Sequence, residues 1–180
     1  MFQVGSKQLK VEDIRQLLES QQKIVLTEKA VQDIQKCRQY LDDKIAQSDE
    51  PIYGVTTGFG ALYDRSISED GLEKLQENLV MSHACGAGAK IPDEIVKIIL
   101  LLKIQGLAQG KSGVQTKTVE RLVNFYNLNV FPVIYEKGSL GASGDLAPLA
   151  HLSLPLIGKG EVVLEGETVA SEDALKELDL

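Results

Sequence analysis

The 180-residue chain has two cysteines, no tryptophan and a net charge of −7. Cys37 and Cys85 are too few for a disulfide framework, and we expect two reduced, buried thiols. The sequence has neither a CxxC motif nor a His-rich spacing, so it does not indicate a structural zinc site. The 26 acidic residues outnumber the 19 basic ones, and the sequence also lacks the basic patches that bind nucleic acid or anionic membranes. We therefore expect no metal, no nucleic acid and no membrane partner.

The sequence also lacks long apolar runs. No window approaches 18 uninterrupted apolar residues, and no basic segment with an apolar signal core follows the first methionine. A cytoplasmic protein is expected. With 43% hydrophobic residues and no repeat or low-complexity linker, the sequence predicts one globular domain that spans residues 1–180.

Helical periodicity dominates the rest of the sequence. After Thr27, apolar residues recur every three or four positions and predict a long amphipathic helix, namely Val31, Ile34, Cys37, Leu41 and Ile45. Further helices are predicted around 72–79 and over about 92–107, 116–127 and 145–157. The helix after Pro92 is apolar on nearly every side, so it needs packing partners around most of its circumference.

Strands are predicted to be few and short. Segments 1–5 and 23–26 are compatible with small strands, and "EVVLEGETV" (161–169) predicts a hairpin with Glu165 and Gly166 at its turn. "GFGALY" (58–63) and "GAGAKI" (86–91) lack the third glycine of a dinucleotide fingerprint and are interpreted as loops. The predicted fold class is mostly α, with minor short strands and a hairpin near the C-terminal end.

Two further near-motifs do not carry a function. "GLAQGKS" (106–112) has three residues between its glycines where a phosphate loop needs four, and it follows a helix. "GASGD" (141–145) lacks the second glycine of a nucleophile elbow, and only His83 and His151 are available as bases. A serine hydrolase is therefore poorly supported.

Glycines and serines are concentrated before a predicted helix in "KGSLGASGDLAPLAH" (137–151). If the amide nitrogen of Gly144 attacks the carbonyl carbon of Ala142, a five-membered ring closes, and loss of water there and from Ser143 leaves an exocyclic methylene. Glycine suits the attacking position because it has no Cβ and accepts positive φ. The helix dipole would then stabilise negative charge on the ring. Taken alone, these residues favour a glycine-rich N-capping loop over ring formation.

Three motifs taken together favour the ring-forming triplet over the N-capping loop. "YGVTTGFG" (53–60), "LQENLVMSHACGAG" (75–88) and "GSLGASGDLAPLAH" (138–151) closely resemble the histidine and aromatic amino acid ammonia-lyase family in order and spacing. The resemblance implies the N-terminal helical domain of that family's L-aspartase/fumarase-like helical bundle, and a homotetramer of full-length chains. It also implies that Ala142, Ser143 and Gly144 cyclise autocatalytically to 4-methylideneimidazole-5-one (MIO), with no metal and no diffusible cofactor.

The same resemblance assigns roles around the substrate, a small amino acid. Tyr53 matches the family's active-site tyrosine, an acid/base near the substrate's β-carbon, and Gly60 leaves room beside the substrate. Ser82 and His83 match positions near the substrate side chain, where an imidazole can hydrogen-bond the imidazole of histidine. The implied reaction is elimination of ammonia from L-histidine to give trans-urocanate.

Substrate identity has alternatives. Thr56 stands where histidine lyases commonly carry asparagine, and some tyrosine-specific bacterial relatives also keep the Ser-His pair. A tyrosine or phenylalanine ammonia-lyase, or an aminomutase with the same electrophile, is therefore the alternative within the family. A non-catalytic helical interaction domain is the alternative from another class.

Other residues are predicted to support the site. Asp145 would cap the helix after the triplet and fix its entrance, and His151 would hydrogen-bond within the core. The final segment, 171–180, begins an amphipathic pattern that stops before a C-cap. We therefore expect an N-terminal part of a longer subunit, inactive by itself and with the triplet uncyclised.

Overall fold

The computed structural model describes residues 1–5, 7–47, 50–57, 69–140 and 144–180, with the side chains of 69, 70 and 72 left out. Seven α-helices lie in these ranges: α1 (Val11–Glu19), α2 (Glu28–Gln47), α3 (Glu69–His83), α4 (Asp93–Leu107), α5 (Thr116–Leu128), α6 (Leu146–Ser153) and α7 (Ser171–Glu177). The strands described are β1 (Phe2–Val4), β2 (Ile24–Leu26), β3 (Ala87–Lys90), β4 (Phe131–Pro132), β5 (Tyr135–Lys137), β6 (Glu161–Leu164) and β7 (Glu167–Ala170). The predicted mostly helical class is confirmed.

The helix ends follow local sequence signals. The Thr27 hydroxyl accepts the N–H of Ala30 at 3.1 Å, in the first turn of α2. At the other end of the chain, α6 tightens at Leu154 into a 3-10 helix that Gly158 ends with a φ of 69°. Pro155 lacks the N–H that would continue the α-helical ladder, so the helix ends in this tighter turn.

The core is built around α4 and α5, which pack against each other. Leu100, Leu101 and Ile104 of α4 are fully buried, as is Phe125 of α5. On the outer face of α4, Ile95 and Leu102 remain 42% and 49% exposed. The described residues therefore cover only part of this apolar helix. None of the helices in the described ranges is both long enough and apolar enough to span a membrane.

The two N-terminal strands pair in parallel, with α1 as the connection between them. The side chain of Asn127 on α5 joins this sheet to the core. Its Oδ1 accepts the N–H of Ile24 at 2.8 Å, and its Nδ2 donates to the carbonyl oxygen of Ile24 at 2.9 Å. The predicted strands at 1–5 and 23–26 are confirmed.

The remaining strands form two small antiparallel sheets, β3 with β5 and β4 with β6 and β7. The predicted hairpin is confirmed: Leu164 pairs with Glu167 across Glu165 and Gly166, which have φ values of 52° and 85°. The interpretation of "GAGAKI" as a loop is wrong for its central residues, which form β3. Their pairing partner, β5, lies far along the chain, so no local pattern indicates the strand.

The last helix corrects another expectation. The prediction that the chain stops before a C-cap is wrong, because α7 ends at Glu177 and Leu178 takes the C-cap position. The N–H of Leu178 donates to Ala174 and that of Leu180 to Leu175, at 3.1 and 2.9 Å. Both leucines pack against the buried core.

Candidate active site

Ser82 and His83 form the C-terminal end of α3, and a helix carbonyl orients both side chains. His83 is half-buried, and its Nδ1 lies 2.7 Å from the carbonyl oxygen of Leu79. Because a carbonyl oxygen can only accept, this contact places a hydrogen on Nδ1, and in the tautomer with that hydrogen Nε2 is the acceptor. The Ser82 hydroxyl donates to the same carbonyl at 3.0 Å.

Tyr53 opens a compact turn built on a buried threonine. The N–H of Gly54 donates to Thr57 Oγ1 at 3.2 Å, and that of Ile52 donates to Thr56 Oγ1 at 2.9 Å. Thr57 is fully buried, whereas Tyr53 is 62% exposed. The turn thus presents the phenol ring at the surface. Asparagine at position 56 would also offer an acceptor, so the departure at Thr56 is compatible with this turn.

A glutamine ties this turn to α3. Gln76 Nε2 donates to the carbonyl oxygens of Gly54 and Val55, both at 3.2 Å. Gln76 lies on the helix that ends at His83. Sequence reasoning missed this residue, because its role depends on a backbone segment more than 20 positions upstream.

Gly144 lies directly before the helix α6, with a φ of 72°. A Cβ at this position would lie 3.2 Å from Ser139 Oγ, and the Ser139 hydroxyl donates to the Gly144 carbonyl. Positive φ and close contact both favour glycine here, as the attacking position of the triplet requires. Ala142 and Ser143, and also Gly60, lie outside the described residues.

Asp145 occupies the predicted N-cap position of α6. Its carbonyl accepts the N–H of Leu149 at 3.0 Å, so the helix begins where expected. Within the described part of the chain, however, its carboxylate makes no capping hydrogen bond, and the predicted side-chain cap is wrong. The backbone angles, φ −114° and ψ 0°, differ from the extended geometry in which an N-cap side chain reaches the first turn.

His151 of α6 is buried and hydrogen-bonded, as predicted. Its Nε2 accepts the N–H of Gly86 at 2.9 Å, and the Tyr135 ring meets it edge-on, with 5.2 Å between the ring centroids. Burial lowers the pKa of His151 below its usual value of 6.5, because desolvation disfavours the charged imidazolium. The ring is therefore neutral at pH 7, as its acceptor role requires.

Helix α3 connects these parts of the site. Through Gln76 it holds the Tyr53 turn, its end carries His83, and its side packs against α6, which follows Gly144. Two segments that are distant in sequence, the Tyr53 turn and α6, are thus attached to the helix that carries His83. The order of these segments along the chain is that of the three motifs.

Residues 9–180 match the sequence model of the family described as aromatic amino acid lyase. The chain belongs to the aromatic amino acid lyase family. It is 47% identical over 169 residues to a histidine ammonia-lyase from Legionella pneumophila (strain Corby), a match that covers 94% of this chain and 33% of that protein. The lyase chain thus spans about a third of the length of the curated relatives that it matches.

Solved structures of the family share the fold. Ergothionase from Treponema denticola, an ergothioneine-degrading enzyme, superposes with a TM-score of 0.91 at 28% identity, over 99% of this chain and 36% of that one. Tyrosine aminomutase from Streptomyces globisporus superposes with a TM-score of 0.88 at 32% identity, over 99% of this chain and 33% of that one. The lyase fold therefore occurs in relatives with different substrates.

The described residues contain few groups suited to metal or thiol chemistry. In the ranges that the structure describes, no cluster of three or more His, Cys, Asp or Glu side chains is placed to hold a metal ion. Cys37 is half-buried, and its sulfur accepts the N–H of Gly113 at 3.3 Å. Cys85 is exposed, which corrects the expectation of two buried thiols. It lies in the turn between α3 and β3.

Proposed function

We propose that these 180 residues form the N-terminal domain of a cytoplasmic, homotetrameric lyase subunit that converts L-histidine to trans-urocanate and ammonia. The observation that carries this proposal is the left-handed conformation of Gly144 at the entrance of α6, at the chain position of the family's triplet. The 47% identity to a histidine ammonia-lyase supports the choice of substrate.

The residues present fit an MIO group. Gly144 has the backbone conformation that ring closure with Ala142 and loss of water from Ser143 would require, and Ser139 holds its carbonyl. The ring would supply an electrophile that takes up the substrate's amino group and assists its departure as ammonia. The N-terminus of α6 places the positive end of a helix dipole beside the triplet, which favours negative charge there.

Proton transfer is assigned to Tyr53. Its phenolate oxygen takes a proton from the β-carbon of the substrate, the C–H electron pair forms the new double bond, and the C–N bond breaks. The exposed position of the ring on this chain allows a substrate to approach. The Gln76 contacts fix the backbone after Tyr53, so the phenol is presented from a supported turn.

Substrate selection is assigned to His83. With its hydrogen on Nδ1, directed at Leu79, the ring offers Nε2 as an acceptor for the imidazole N–H of the substrate. A site built around such a polar contact discriminates against side chains that lack the donor. In the full-length lyase, His83→Leu is therefore expected to lower kcat/KM for L-histidine about tenfold relative to L-tyrosine or L-phenylalanine, since leaving the substrate's buried imidazole N–H without an acceptor costs about 1–3 kcal/mol.

Intact mass and turnover together test the proposal. A full-length lyase polypeptide containing this chain should weigh two waters less than calculated and form urocanate from L-histidine. Its Ser143→Ala variant should keep the calculated mass and lose turnover by orders of magnitude. The 180-residue chain by itself should keep its full mass and remain inactive. An uncyclised, inactive full-length protein would favour the non-catalytic interaction domain.

A second candidate is a tyrosine-directed lyase or aminomutase. It is favoured by the similarity to the Streptomyces globisporus tyrosine aminomutase, at 32% identity and a TM-score of 0.88. Product analysis separates the candidates: an aminomutase yields a β-amino acid, and a lyase releases ammonia and an unsaturated acid. Faster turnover of L-tyrosine than of L-histidine would overturn the histidine assignment.

A further inference from the structure

The contact between His151 and Gly86 leaves no room for a side chain on the glycine. A Cβ on Gly86 would lie 2.8 Å from His151 Nε2, 3.0 Å from His151 Cδ2 and 3.2 Å from Tyr135 Cβ. These distances are shorter than ordinary van der Waals contact, so the backbone of the turn rests directly on the imidazole. The 2.9 Å hydrogen bond from the Gly86 N–H lies within this close contact.

The same turn contacts the segment that holds Gly144. A Cβ on Gly138 would lie 3.0 Å from the Cα of Gly86, so these two backbones also meet closely. The residue after Gly138 is Ser139, whose hydroxyl donates to the Gly144 carbonyl. Gly86 is thus fixed from two sides by elements that lead to the triplet.

The two sides of this contact differ in how firmly they are anchored. On α6, Ala147, Ala150 and Leu152 are buried, and the helix packs against α3. In the turn and strand after His83, the residues from 87 to 90 are exposed. Apart from the pairing of β3 with β5, this segment therefore has few buried side chains of its own. His151 is the buried polar group through which α6 holds it.

We propose that His151 is a positioning residue for substrate binding: by accepting the Gly86 N–H, it sets the turn that follows His83 against the helix that follows the triplet. The inference rests on the proposed function. Gly86 is three residues from His83, and the N–H of Cys85 between them donates to the His83 carbonyl at 2.9 Å. A shift of Gly86 is therefore transmitted to the ring that binds the substrate side chain. Because Ser139 contacts Gly144 independently of His151, we expect ring closure at the triplet without this hydrogen bond.

Three variants of the full-length lyase test this role. Glutamine at 151 places an amide oxygen near the position of Nε2, asparagine carries the same amide one methylene short of it, and leucine has no acceptor. We expect His151→Gln to keep KM for L-histidine within about twofold of the wild-type value. His151→Asn and His151→Leu should raise KM about tenfold with a smaller change in kcat, because an interaction with the substrate side chain is weakened. All three variants should still weigh two waters less than calculated.

Hydrogen exchange provides an independent readout. The amide of Gly86 should exchange slowly in the wild type and in His151→Gln, and faster in His151→Asn and His151→Leu. A merely structural role would lower the melting temperature and leave KM unchanged, and that result would overturn the inference. Equal KM values for the Asn and Gln variants would also overturn it, even if the Leu variant does not fold. A wild type without the mass deficit and without turnover would overturn the proposed function, and this inference with it.

Discussion

Gly110, in the loop between α4 and α5, should be among the positions of this chain least tolerant of alanine. Its φ is 61°, and a Cβ there would lie 2.6 Å from both the carbonyl carbon and the carbonyl oxygen of Asp33. Those atoms belong to the backbone of α2, so they cannot move aside as a side-chain end could. The loop is therefore in direct contact with a helical residue, Asp33, that precedes Gly110 by more than 70 positions.

Gly158 is a matched control for this substitution. Its φ is 69°, and nothing lies within 4 Å of a Cβ built on it. Alanine in the left-handed region costs roughly 1–2 kcal/mol at either position. Overpacking adds about 1–3 kcal/mol at Gly110 alone. Gly110→Ala should thus lower the free energy of unfolding by about 2–5 kcal/mol, and Gly158→Ala by about 1–2 kcal/mol.

Urea unfolding of the 180-residue chain, followed by far-ultraviolet circular dichroism, measures this difference. The two variants should share the m-value of the parent chain, so that the midpoints report stability alone. Equal losses of stability at Gly110 and Gly158 would refute the argument, because they would show that α2 and the loop separate at no cost.

Two further predictions concern the hairpin and the acid response. Glu165→Asn should raise the free energy of unfolding by about 0.5–1 kcal/mol. The reason is that Glu165 has a φ of 52° at the first central position of the hairpin turn, where asparagine is preferred. Glu161→Asn, in β6, is the control and should not stabilise the chain. Burial lowers the pKa of His151, so the unfolded chain binds a proton near pH 6.5 that the folded chain does not. The free energy of unfolding should therefore fall as the pH falls below about 6.5, and His151→Gln should remove that part of the pH dependence. If the free energy of unfolding of the variant has the same slope against pH as that of the parent chain between about pH 7.5 and pH 5, the neutral, buried imidazole is contradicted.

Local patterns predicted most of the fold. The apolar spacing after Thr27 predicted α2, and Glu165 with Gly166 predicted the hairpin, because each signal lies within the element that it specifies. Strand β3 was missed, since its backbone is paired by β5, which lies on the other side of α4 and α5. A glycine-rich, exposed strand has little intrinsic preference of its own.

Some parts of the candidate site were predicted from the sequence and others were not. The triplet and the roles of Tyr53 and His83 follow from motifs, and the φ of Gly144 agrees with its predicted part in ring closure. The contacts of Gln76 and Ser139 could not be predicted, because a side chain's backbone partner across a turn or another element leaves no mark in the sequence. The expected cap at Asp145 was wrong for a related reason, since residue type alone does not determine the backbone angles that direct a side chain.

Asn127 occupies part of the edge of β2 at which another strand could pair. In the parallel pair of β1 and β2, the polar backbone groups of Lys23 and Thr27 face β1. Those of Ile24 and Leu26 therefore face the opposite edge. Both groups of Ile24 are occupied by the amide of Asn127. An open strand edge is a template on which another polypeptide can add and aggregate. Here a single side chain interrupts that template, so the short β2 does not present two consecutive open positions to a neighbouring molecule.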